Sequence, residues 1–250
     1  NFTTLRKRLR KLIREGVEGR YWYEDSAQEA LRITGGDLPM AEKFIGLLAI
    51  YSPQNKVFIN TSMAIKAFTQ WSNGQEISVK TGIQDRKAQA WMDHGTDWGG
   101  RKVKSFYTNL MYEIVSNASP EQVESLAIPL DVLDAINKVT VDLWVLRAFG
   151  YDVDSAGSED KGSGKYSFAE DELRYLAGIL NRGLKEGDRR WRPHQVQAAL
   201  WSAIKGRSEL PSVKAKTNAQ SLKRGYSEIG EDGKPKNPTN PGPKKVGHYK

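Results

Sequence analysis

Cysteine is absent from this 250-residue chain, which removes disulfides, thiolate metal sites and thiol nucleophiles together. Histidine is scarce. His94, His194 and His248 lie far apart, so a histidine-rich metal centre is not expected and no cofactor is assigned. No apolar run approaches the roughly eighteen residues of a membrane span, and Asn1-Phe2-Thr3-Thr4 does not read as a secretory signal. The expectation is a cytoplasmic protein with no membrane partner. With no Met at position 1, it reads as a monomer or as a module of a longer polypeptide. Internal repeats and strand-like alternation are also lacking, which leaves helical periodicity to organise the chain.

What is present is positive charge and indole. A net charge of +8 with seven tryptophans suggests a polyanion partner met by cations and stacking faces. The spacing predicts an all-α, multi-helix domain over residues 1–207. Helices are expected at 2–15, 24–34, 39–51, 56–71, 84–92, 101–117, 131–138, 142–149, 167–186 and 193–206. The first is basic and amphipathic, with Phe2, Leu5, Leu9, Leu12 and Ile13 on one face. The third is apolar nearly all round and should be central. Residues 152–166 read as a surface loop. From 208 to 250 the chain becomes a basic, proline- and glycine-rich linker or tail, with nine Lys and Arg against four acids.

Three short stretches stand out chemically. Val139-Thr140-Val141-Asp142 is a β-branched run ending in an acid that opens a helix. There the carboxylate can cap free N–H groups and needs no further role. Gly99-Gly100-Arg101-Lys102-Val103-Lys104 puts a glycine pair, a helix start and three cations together, which suits a phosphate as well as a solvated basic turn. Ser52-Pro53-Gln54-Asn55-Lys56 is a tight turn between helices, whose amides either face a ligand or satisfy turn backbone.

In this order the three stretches resemble the helix-hairpin-helix DNA glycosylase superfamily of the endonuclease III type, over roughly residues 38–150. The turn after Tyr51 is similar to the family's helix–turn–helix with its glutamine. Gly100 to Lys104 is similar to its later glycine/lysine turn. Val141-Asp142 with Arg147 is similar to the segment that carries its catalytic aspartate. Arg192-Pro193-His194-Gln195-Val196-Gln197-Ala198-Ala199-Leu200-Trp201 is similar to a C-terminal helix of phage-encoded relatives. The resemblance departs at the hairpin. No glycine lies between Gly100 and Gly150, and residues 127–139 take the hairpin's place without its chemistry. No lysine lies between Lys104 and Lys138, so the nucleophile of bifunctional members has no match there. The cysteine-bound iron–sulfur cluster is ruled out.

The resemblance implies a two-subdomain glycosylase-like fold with a degenerate helix-hairpin-helix, acting on an extruded nucleotide of DNA. Asp142 would be the catalytic carboxylate. Gln54, Asn55, Lys56, Gly100, Arg101, Lys102, Lys104, Lys138 and Arg147 would meet nucleic acid, and Tyr51 and Trp144 would stack on bases. A base-excising enzyme of this kind would be monofunctional. It would prefer single-stranded, locally opened or modified phage DNA, in a phage-infected bacterial host. The alternatives are a phage thymine-hypermodification transferase on the same fold and a non-catalytic DNA-binding module.

Overall fold

The computed structural model describes residues 2–53, 55, 57–80, 82–95, 99–128, 130–151 and 164–208, with side chains through Lys205. These residues form eleven helices and no strand. The helices are α1 (Phe2–Glu15), α2 (Trp22–Ile33), α3 (Leu38–Tyr51), α4 (Val57–Ser72), α5 (Ile83–His94) and α6 (Arg101–Val115). Then come α7 (Pro120–Glu124), α8 (Val132–Ala135), α9 (Leu143–Ala148), α10 (Lys165–Arg182) and α11 (Pro193–Ser208). The expected all-α class is what the chain adopts. No described helix is long and apolar enough to cross a membrane.

Local chemistry sets the helix starts. Asp37 caps α3 by accepting from the Met40 N–H at 2.9 Å, with Pro39 in the first turn. Ser119 and Gln122 form a reciprocal capping box on α7. Gly164, at φ +70°, turns the chain into α10. The stretch expected as a helix over 131–138 shortens to α8, four residues long and capped by Asp131. It stops because Val139 to Val141 are pulled straight and buried. Most of the expected loop and nearly all of the expected tail, residues 152–163 and 209–250, lie outside the described residues.

Burial then sorts the helices into two apolar clusters. One joins α2 to α6 around Phe44, Leu47, Trp91, Leu110 and Met111. The other joins α1, α9, α10 and α11 around Leu9, Ile13, Leu146, Leu173 and Leu200, with Val139 and Val141. Helix α3 is central as its composition requires, and Gly46 lets α5 reach it. A Cβ at Gly46 would lie 2.0 Å from the Trp91 ring nitrogen, which donates to the Lys43 carbonyl at 2.8 Å. Helix α11 touches both clusters, with Ala198 in the first and Val196, Ala199 and Leu200 in the second. Phe2, expected to face inward, is instead 59% exposed at the free end of α1, its ring 5.8 Å from Phe168.

Candidate functional site

The site is built where the extended run Val139–Val141 emerges from the second cluster. Tyr166 receives the Val141 N–H on its hydroxyl at 3.2 Å, and burial pushes that phenol up to about 12. Asp142 follows with extended backbone (φ −109°, ψ −178°) and caps α9. Its Oδ1 accepts from the Val145 N–H at 2.9 Å, and its Oδ2 accepts from the Trp201 ring N–H at 2.8 Å. Asp142 is therefore both a cap and a half-exposed carboxylate, with one donor fixed on each oxygen.

Facing it from the first cluster is the N-terminal turn of α6. Gly100 caps α6 with extended backbone and no side-chain hydrogen bond. The three cations that follow go to three different places. Arg101 reaches across to α10, donating to Ser167 Oγ at 3.0 Å and Glu170 Oε2 at 2.6 Å, with its guanidinium 4.5 Å from the centre of the Tyr166 ring. Lys104 stays exposed at the mouth of a cleft. Lys102 is half-buried within the field of Asp142. Burial pushes the Lys102 ammonium below the ordinary lysine range, and the nearby carboxylate offsets only part of that shift.

The adjoining cleft has a volume of about 340 Å³ and is lined by Gly99, Arg101, Lys104, Ser105, Thr108 and Lys138. No acid is in this lining. Lys138 is held at 3.1 Å from Asp134. Asn109, on α6, ties Lys138 and Thr140 to that helix. Its buried amide donates to the Lys138 carbonyl at 3.0 Å and accepts from the Thr140 N–H at 3.2 Å. Thus the cleft wall, the strand-like run and α6 form one hydrogen-bonded unit beside Asp142.

Other expected site residues lie elsewhere or do other work. Tyr51 is fully buried and donates to Asp85 Oδ1 at 2.7 Å, so it is core and offers no stacking face. The Asn55 amide donates to the Tyr51 carbonyl at 2.6 Å, satisfying the end of α3. Gln54 and Lys56 lie outside the described residues. Trp144 is half-buried, with Arg147 at 5.1 Å and Lys205 at 4.6 Å from its ring centre. The structure therefore groups Arg101, Lys104 and Lys138 on one cleft, sets Lys102 in the field of Asp142, and places Trp144 and Arg147 on α9.

Helix α11 supplies what the sequence reading missed. Trp201 meets Asp142, Gln197 accepts from the Tyr23 hydroxyl at 2.8 Å, and His194 Nε2 lies 2.5 Å from Glu113 Oε1. Arg192 adds two contacts at 3.2 Å to the same Glu113 carboxylate. The signal was the dense polar spacing from Arg192 to Trp201 within an otherwise buried helix. It marks a helix that turns His194, Gln197 and Trp201 onto other parts of the fold. Among the described residues, no group of three or more His, Asp and Glu is placed to hold a metal.

Comparison with known proteins gives one match: the model of a family of unknown function covers residues 14–208. No curated protein and no solved structure matches the chain.

Proposed function

We take as premise that the chain belongs to this family of unknown function, DUF7178, and we propose that it is a DNA base-excising enzyme using Asp142 and Lys102. One observation carries the reading: a half-buried lysine with a depressed ammonium lies in the field of a capped, fixed carboxylate, beside a cleft lined by cations. Perturbed titratable pairs in clefts are candidate reaction centres. Phosphates of a bound strand fit Lys104 and Lys138, and a nucleotide turned out of the stack would come to Asp142.

The chemistry follows from the two groups. In the proposed step Lys102 Nζ first gives a proton to solvent, and the free amine then attacks the sugar C1′. The C1′–N bond to the base breaks, and its electron pair leaves with the base. Positive charge builds on the sugar during this step, and the Asp142 carboxylate stabilises it. The attacking nitrogen gives a proton to the departing base, the C1′–O4′ bond then breaks with O4′ taking a proton from water, and an iminium is left on Lys102. This differs from the monofunctional enzyme expected from sequence, which sought the nucleophile after residue 104. Gly95 ends α5, and Gly99 and Gly100 lead into α6. Lys102 follows those glycines directly, so this stretch suits the family's hairpin better than residues 127–139. In the latter the Ala127 and Ile128 N–H groups are taken by Glu42, at 2.7 and 2.9 Å. The group-transfer alternative needs Asp142 to take up a proton. Both of its oxygens already accept an N–H, which suits charge stabilisation better.

The test is incubation with defined and phage-modified DNA under borohydride, read by mass spectrometry of protein and nucleosides. Expected are a free base and a covalent adduct at Lys102. Lys102→Ala should lose the adduct, and Asp142→Asn should lose base release by about 100-fold or more while retaining DNA affinity. A free base without adduct would return the reaction to water. An altered nucleoside would make the protein a transferase, and unchanged DNA would make it a binding module.

A further inference from the structure

Among the described exposed large apolar side chains, Leu133 and Val132 are an adjacent pair on one helix, α8, whereas Val17 and Ile83 stand singly. Leu133 is 79% exposed and Val132 42%. Exposed Phe2 rests on Phe168, and exposed Tyr175 lies 3.8 Å beneath the Arg6 guanidinium. Leu133 has no such cover among the described contacts, yet its mount is firmly fixed. Before α8, Glu42 grips the Ala127 and Ile128 N–H groups. Within it, Asp131 Oδ1 accepts from the Leu133 and Asp134 N–H groups at 2.9 and 3.2 Å, and Ala135 is fully buried. After it, Arg174 donates to the Asn137 carbonyl at 2.8 Å and Asn109 to that of Lys138. The exposure is thus that of a rigid projection and not of a frayed end.

The projection is joined to the cationic cleft through Lys138, which lines the cleft and pairs with Asp134 of α8. We propose that Leu133, backed by Val132, is the wedge that enters a base step of DNA next to the nucleotide received at Asp142. This rests on the DNA reading above. The charges argue for this occupant. Arg101, Lys104 and Lys138 line the cleft, and the acids that pair with Arg101 and Lys138, Glu170 and Asp134, lie outside that lining, so the lining itself suits a phosphate backbone. The α8 carboxylates are already spent, Asp131 on its cap and Asp134 on Lys138. A leucine tip suits the gap between bases, because apolar wedges replace stacking lost when a step opens. The same wedge makes duplex DNA usable, where sequence alone suggested a preference for single strands.

The test uses the full chain and duplexes carrying 2-aminopurine, with fluorescence reporting unstacking and anisotropy reporting affinity over a salt series. Wild type should brighten the probe several-fold. Leu133→Ala and Leu133→Asp should lose the brightening, and Leu133→Phe should keep it. Leu133→Ala should weaken binding to intact duplex about tenfold and leave binding to a duplex with an abasic gap within about twofold. Brightening by Leu133→Ala equal to wild type, with binding intact, overturns the wedge and leaves the DNA reading standing. No salt-dependent DNA binding by wild type overturns both. A wild-type dimer in sedimentation that Leu133→Asp dissociates would assign the projection to a second copy of the chain instead.

Discussion

A lysine kept half-buried is a cost to the fold, and Lys102 shows the sign of that cost. Its folded-state ammonium is disfavoured relative to the ordinary value of 10.5, so the unfolded chain holds that proton more tightly. The Lys102 contribution therefore penalises the fold fully below its depressed value. The penalty is relieved as pH rises from there towards 10.5. Lys102→Met keeps the stem and removes the charge. Its melting temperature at neutral pH should rise by roughly 2 °C, and the gap to wild type should close as pH is raised towards 10. A variant less stable than wild type at neutral pH would mean that the ammonium is a net stabiliser. Glu42 works in the opposite sense. It is buried and accepts from Tyr107, Ala127 and Ile128, so Glu42→Leu should leave three donors without a partner. A loss of about 3 kcal/mol in denaturant unfolding is expected. An unchanged midpoint would show that those donors find other partners.

At the scale of elements, most helices follow from the sequence because their causes are local: an apolar stripe, a capping Asp or Ser, a proline in the first turn. Helix α3 could be placed at the centre from Phe44, Ile45, Leu47, Leu48 and Ile50 alone. The cap role of Asp142 was equally legible. What could not be read is which polar groups meet across the core. Lys102 looks like its neighbours Arg101 and Lys104 in sequence. Only helical phase and the packing of α6 against α2 and α3, which leaves Lys102 in the field of Asp142, separate the three. Tyr51 was misassigned for a related reason, since an aromatic beside a turn reads alike whether it faces Asp85 or a base. The stretch from Arg192 to Trp201 stands out in sequence, but that Trp201 meets Asp142 appears only when α11 is laid against α9. The close approach of α3 and α5 gives the element-scale prediction. Gly46→Ala places a methyl group inside the Trp91 ring's space and should cost about 2–3 kcal/mol, a fall of roughly 5–10 °C in melting temperature. A fall below 1 °C would mean that α5 can slide away freely.

Across the whole molecule, the +8 charge matters through where it is placed. Arg6 is bound to Glu172, Arg101 to Glu170 and Arg192 to Glu113, so these cations hold helices together. Lys104 and Lys138 line the cleft. Lys104→Ala with Lys138→Ala should therefore flatten the salt dependence of DNA binding by about one unit of log–log slope per lost phosphate contact, at all sequences alike. An unchanged slope would move the DNA path off this cleft. Arg101→Ala should act differently, loosening α6 from α10 and lowering stability more than it changes the slope.

The second cluster joins α1 to α11, and this fixes an order of events during synthesis. Helix α1 leaves the ribosome well before α11, with Leu9, Leu12 and Ile13 ready to pack, but α11, against which it lies, begins only at Pro193. At about 5–20 residues per second, that partner arrives roughly 10–40 s later. The helices of the first cluster are complete well before then and can fold as the nascent chain lengthens. The apolar stripe of α1 has to wait, flanked by Arg6, Lys7, Arg8, Arg10 and Lys11, whose charge keeps it soluble until the last helix closes over it.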